Sequence, residues 1–193
     1  GDVNNVFSPR NHAFYDLLKV KMSVDETVLT YNYYPETLHL VLMKDVENMP
    51  EIKALLLKGA MDCALIKPCL VPNVFVVLQA AYKASQAQKK GKLITKTVYT
   101  EILYNLSPSK NITQSLATFG AQETDTELLL AHFGTSSTLE GILTKISGTP
   151  VMPTESIGNP EQIVKFYNIK PLESTATSIE NSVVSRIATR GVV

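Results

Sequence analysis

The sequence predicts an α/β chain of the α+β-like kind, one compact domain in which a small mixed sheet is packed by several helices. Short apolar runs of strand character alternate with segments of helical spacing. No repeat of about 20 to 50 residues is visible. Of the 193 residues, 45% are apolar, which supplies a sizeable core without disulfides.

Residues 1–33 read as an N-terminal extension, with Ser8-Pro9, a weakly periodic Ala13–Leu18 turn and one short helix or strand; the domain is expected over 34–193. Thr37–Met43 is a core strand between Pro35 and Asp45. Asn48 then caps a helix with Pro50 and Glu51 in its first turn, Ile52, Leu55 and Leu56 as its inner stripe, and Gly59 as its stop. Cys63–Ile66 is a second short run, closed by Pro68. A long helix follows from about Pro72 to Lys90, with Val74, Phe75, Leu78, Ala81 and Tyr82 at helical spacing and Gly91 after it. Val98–Leu106 fits both periods, and a helix ended by Pro108 is preferred. Asn111 caps a helix carrying Ile112, Leu116 and Phe119, with Gly120 at its end; Leu128–Phe133 returns to strand. Residues 134–158 are expected to be a variable connection with one element inside. Asn159-Pro160 opens a helix through Ile163, Val164 and Tyr167, Pro171 breaks it, and Ser174 or Thr175 starts a last helix with Ile179, Val183 and Ile187 on one face.

The chemistry of familiar catalytic sites is missing. There is no Gly-x-Gly-x-x-Gly, phosphate loop, nucleophile elbow or His-Glu-x-x-His. Cys63 and Cys69 with His12, His39 and His132 make no spaced zinc site, and the two thiols read as buried and free. His39 and His132 fall in core strands, where a packed histidine is the simpler reading than a base. No metal and no cofactor are expected. Without an apolar run long enough for a span, or a signal pattern, the expectation is a soluble intracellular protein with no membrane partner.

Charge is the feature that rises above background. The totals cancel, 18 Lys and Arg against 18 Asp and Glu, yet Cys63 to Thr100 holds six lysines (Lys67, Lys83, Lys89, Lys90, Lys92, Lys96) and no acid. Two readings stand side by side. Four of these lysines crowd the end of the long helix, where the dipole favours cations and solvation explains them. Clustered lysines are also the footprint of phosphate binding, with Tyr82, Tyr99 and Tyr104 near enough in sequence to stack on unpaired bases.

Several pieces in order carry a resemblance: Leu65-Ile66-Lys67-Pro68; Val77-Leu78-Gln79-Ala80-Ala81-Tyr82-Lys83-Ala84; Lys90-Gly91-Lys92; Thr100–Pro108; Asn111-Ile112-x-x-Ser115-Leu116-x-x-Phe119-Gly120; Lys165-x-Tyr167; and Arg190-Gly191-Val192. Over roughly Tyr34–Phe133 and Ile163–Gly191 the chain resembles the PRPK-binding protein (TPRKB) family. It departs from that family's pattern before Tyr34 and across 134–158. The resemblance implies a small, non-catalytic α/β subunit of the EKC/KEOPS complex, which installs N6-threonylcarbamoyladenosine next to the anticodon of tRNAs reading codons that begin with A. It implies binding to the kinase-fold ATPase PRPK and, through it, the transferase subunit, a place in cytoplasm and nucleus, and a hold on the tRNA 3′ acceptor end.

On the two lines together the RNA-binding candidates are Lys67, Lys83, Lys89, Lys90, Lys92, Lys96, Lys110 and Asn111. The Lys110-Asn111 turn matches a basic-plus-amide turn of archaeal relatives and adds a cation at a helix start. The partner-binding candidates lie on the last helix: Ile179, Val183, Val184, Arg186, Ile187 and Arg190. Two alternatives are carried: a protein-interaction module without RNA binding, and a small-molecule enzyme using Glu101 or His132.

Overall fold

The computed structural model describes residues 21–24, 27–33, 36–153, 157–170 and 176–190. Its elements gather into two units, residues 1–65 with 123–155, and residues 66–122 with 156–193. The Ser8-Pro9 and Ala13–Leu18 features, Pro171, Ser174 and Thr175 lie outside the described residues.

The first unit is built on a sheet. Strands β1 (Lys21–Val24), β2 (Leu29–Tyr33), β3 (Glu36–Lys44), β4 (Ala64–Ile66) and β5 (Leu128–Phe133) run in the order β1-β2-β3-β5-β4, and β6 (Thr149–Val151) pairs with β3 beyond the end of β2. The β1–β2, β2–β3, β3–β5 and β3–β6 pairings are antiparallel. Leu38 to Met43 are all buried, so β3 is covered on both faces, which explains its unbroken apolar run where a half-exposed strand would alternate.

Part of the expected extension lies in the sheet: residues 21–24 and 29–33 form two of its strands, and position 34 stands between β2 and β3 in the chain. Leu29 and Tyr31 point inward and are 2% and 1% exposed, while Asn32 between hairpin neighbours faces solvent. That is the period-two alternation of an ordinary strand, legible once Tyr31 is counted as apolar.

Helix α1 (Met49–Leu57) follows β3 and buries Met49 and Ile52; Leu55 and Leu56 are only half-buried, and Leu57 is exposed. Asn48 precedes it without capping it. Its amide instead donates to the Lys145 carbonyl and its Oδ1 accepts from the Ser147 N–H, both at 2.9 Å, a use that local sequence cannot reveal. Among its described residues the 134–158 connection holds two elements where one was expected: α5 (Ser136–Leu143), numbered in chain order after the helices below and started by a Thr135/Thr138 capping box, and the three-residue β6.

The second unit is helical. α2 (Val74–Lys89) is capped by Asn73, whose side chain accepts from the Val76 N–H. α3 (Val98–Leu106) begins with a Thr97/Thr100 capping box, which decides the ambiguous segment for helix. α4 (Ile112–Phe119) is capped by Asn111 and α6 (Pro160–Tyr167) by Asn159. α7 (Ala176–Ala188) closes the series. Gly120 ends α4 for reasons of space. Its φ is −80°, but an added Cβ would lie 2.6 Å from the Leu116 carbonyl oxygen. Among the described residues no helix is long and apolar enough to cross a membrane.

Candidate functional site

The lysine segment ends α2 and continues into the loop before α3. Lys89 sits in the last turn, Lys90 is the C-cap, and Gly91 takes φ +61°, a left-handed turn that redirects the chain with little strain. Lys83, Lys89, Lys90, Lys92 and Lys96 are exposed and Lys67 is half-buried. Beyond Gly91 the loop is tied down by Glu101, whose buried carboxylate accepts from the Ile94 N–H at 3.1 Å, the Thr95 N–H at 2.8 Å and the Thr95 hydroxyl at 2.7 Å.

The structure brings Lys110 to Arg186 and Arg190, joining members of the two candidate sets that sequence kept apart. With Pro108, Phe166, Tyr167 and Thr189 they line a groove of about 470 Å³. Phe166 meets Phe119 and Tyr167 edge-on, with ring centroids 5.8 and 4.9 Å away, and is itself 41% exposed. Tyr167 is 5% exposed, yet its hydroxyl has no hydrogen-bond partner among the described residues. Burial raises its pKa, and the nearby Arg186 pulls the other way. A buried donor without a partner, beside two guanidinium groups and an ammonium, suits an acceptor-rich, anionic ligand.

Arg190 already has an internal role. Its guanidinium lies 4.0 Å above the Tyr104 ring and donates to the carbonyls of Tyr104 and, at 2.9 Å, Ser107, satisfying carbonyls where α3 ends. Tyr104 is therefore covered and buried, a correction to its reading as a stacking platform. Arg186 donates to the Ser182 carbonyl of its own helix at 3.1 Å. Asn111 accepts from the Gln114 N–H, so its side chain caps α4.

The structure divides the partner-binding candidates. Ile179 and Val183 are 7% and 0% exposed and pack into the core, because α7 turns its i, i+4 stripe inward. Val184, Ile187 and Ala188 instead line a small cleft of about 30 Å³ with Val76, Gln79, Ala80 and Lys83 of α2 and Asn105 of α3. Sequence reasoning missed Phe166 and Tyr167, whose adjacency beside Lys165 at the end of α6 was the available signal.

The two groups offered for catalysis are bound up in the fold. Glu101 holds its loop. His132 in β5 bonds the Asp62 carbonyl through Nδ1 and the Thr138 hydroxyl through Nε2, both at 2.7 Å, and stacks on its cross-strand neighbour His39 with centroids 6.3 Å apart. Among the described residues no three His, Cys, Asp or Glu side chains gather as metal ligands.

The site is thus a basic groove edged by Phe166 and Tyr167 on an α/β scaffold. Comparison gives it a family: the model described as kinase binding protein CGI-121 matches residues 43–191, and the chain belongs to that family. It is 32% identical over 165 residues to the EKC/KEOPS complex subunit TPRKB of Danio rerio, covering 83% of this chain and 94% of that one. The EKC/KEOPS complex subunit cgi121 of Aspergillus fumigatus is 29% identical over 168 residues, covering 79% and 89%. The corresponding subunit of Yarrowia lipolytica is 30% identical over 144 residues, covering 74% and 80%.

Proposed function

We propose that this chain is a non-catalytic subunit of an EKC/KEOPS complex that docks on a kinase-fold ATPase and helps hold tRNA by its unpaired 3′ acceptor end for N6-threonylcarbamoyladenosine formation, in cytoplasm and nucleus. The partner half of the reading is supported by the family description and by relatives named as subunits of that complex. The RNA half is carried by one observation: Lys110 and Arg186 converge beside Phe166 and the unpartnered Tyr167 hydroxyl. An exposed aromatic edge, an unsatisfied donor and converging cations match what an unstacked, phosphate-bearing strand offers. Engagement of Glu101 and His132 with loop and backbone groups supports a role without chemistry of its own.

The test is salt-titrated binding of intact and 3′-trimmed tRNA. Arg186→Glu with Lys110→Glu should weaken intact tRNA and flatten the log–log salt slope by about 0.7 for each single-strand phosphate no longer neutralised. Trimmed tRNA should bind the native chain less tightly. Equal binding of trimmed and intact tRNA, with an unchanged slope in the variant, removes the RNA half. It leaves a protein-interaction module, a reading that the α2–α3–α7 cleft favours and that pull-down of a kinase-fold partner checks separately.

A further inference from the structure

We infer that Glu101 is a positioning residue for RNA binding: its buried carboxylate holds the loop 92–97 in one arrangement, so that Lys92 and Lys96 meet a phosphate backbone already ordered. The inference rests on the proposed hold on tRNA and extends its surface from the Lys110–Arg186 groove to the exposed lysine segment. Glu101 is 2% exposed in the first turn of α3, where the helix N-terminus stabilises a negative charge. Oε2 receives the Thr95 hydroxyl at 2.7 Å, the Thr95 N–H at 2.8 Å and the Ile94 N–H at 3.1 Å, and Oε1 receives the Ile94 N–H at 3.3 Å. Hydrogen bonds to a charged acceptor are the strong ones, stronger still out of water. Thr100 extends the tie, bonding the Thr95 hydroxyl and the Thr97 N–H at 3.0 Å each.

Apolar packing does little of this anchoring. Ile94 is 58% exposed, Leu93 is only half-buried, and Lys92, Lys96 and Thr97 face solvent. A loop that starts at a left-handed glycine and carries like charges spreads when untied. Binding would then have to restore the order. That separates two quantities. The salt slope counts phosphates neutralised and depends on how many lysines take part, whereas affinity also carries the ordering of the loop. Loss of the clamp should lower affinity and leave the slope alone; loss of lysines lowers both.

The experiment measures tRNA binding by the full chain from about 50 to 200 mM salt, with hydrogen exchange at the Ile94 and Thr95 amides. Glu101→Ala should bind about tenfold more weakly at every salt concentration with the native slope, and both amides should lose protection. Glu101→Gln, which keeps one acceptor oxygen, should fall between. Should Glu101→Ala fail to fold by circular dichroism, Thr95→Ala, which removes a single donor, carries the test, with about threefold weaker binding expected at an unchanged slope. Native affinity in a folded variant whose two amides exchange freely overturns the inference. Absence of tRNA binding by the native chain overturns the RNA reading and this inference together. Native binding that falls with lysine reversal but not with loss of Glu101 overturns the inference alone.

Discussion

Arg190 joins two segments through one planar group, stacked on Tyr104 and forked across the carbonyls of Tyr104 and Ser107. Hydrogen bonds from a charged donor and a partly desolvated cation–π contact together predict that Arg190→Ala lowers stability by about 2 kcal/mol. Arg190→Lys should not restore it, because an ammonium neither forks nor stacks. Urea denaturation checks this, and an unchanged midpoint in the Ala variant would refute the capping role. For tests of binding, reversal of Arg186 alone is therefore cleaner than reversal of both arginines. His39 makes a second residue-scale prediction. Burial holds its pKa below the ordinary 6.5, His132 adds to the shift, and the hydrogen bond to the Gly134 carbonyl opposes it. Below pH 6.5 the unfolded chain takes up the proton that folded His39 resists, so this contribution to stability is complete above that pH and is lost as pH falls. The urea midpoint should drop between about pH 7.5 and 5.5, and His39→Gln should flatten the drop. A native and a His39→Gln curve of equal steepness would assign the acid sensitivity elsewhere.

α7 carries two faces at neighbouring positions. Val183 is fully buried, while Val184 lines the cleft with α2 and α3. Val183→Asp should abolish folding, since an unpaired carboxylate in a core has no compensation. Val184→Asp should leave the circular dichroism native and weaken capture of a kinase-fold partner by about tenfold or more, the scale of an interface anchor. Loss of folding in the Val184 variant would make this face core as well and put the interface elsewhere. Gly120→Ala tests the end of α4: the added Cβ, 2.6 Å from the Leu116 oxygen, forces a backbone shift. The expected cost is about 1 to 3 kcal/mol. Caps show how far an element can be read locally. Asn73, Thr97, Asn111, Thr135 and Asn159 all accept from the third residue onward, as their positions before apolar periods imply. Asn48 has the same sequence context and spends its side chain on residues 145 and 147.

Across the molecule, neutrality conceals a division. The sheet-bearing unit holds 7 Lys and Arg against 14 Asp and Glu, a net −7, and the helical unit holds 11 against 4, a net +7. The polarity seen in the stretch Cys63–Thr100 thus extends through Lys110, Arg186 and Arg190 to a whole unit. Such a chain should be retained on heparin at low salt and near neutral pH although its net charge is zero, because a polyanion within about a Debye length of clustered cations responds to the local charge and not to the total. Reversing Lys83, Lys89, Lys90 and Lys92 to Glu should weaken retention while leaving the fold intact, the Lys110–Arg186 groove supplying what remains. Unchanged retention would confine the polyanion surface to that groove.

By itself the sequence determined the fold class, most element boundaries and the charge polarity, because each rests on period, capping or composition over a few neighbouring residues; for Val98–Leu106 it only favoured the helix that the Thr97/Thr100 box decides. It also carried the family, through short pieces in a fixed order. Only tertiary structure decided that residues 21–24 and 29–33 join the sheet, that Ile179 and Val183 face inward, and that Tyr104 is covered by Arg190. It alone brought Lys110 to Arg186 beside Tyr167, 76 positions apart along the chain for the two cations. Local pattern shows that a helix has an apolar stripe but not which neighbour covers it, and a groove between elements distant in sequence has no periodicity to betray it.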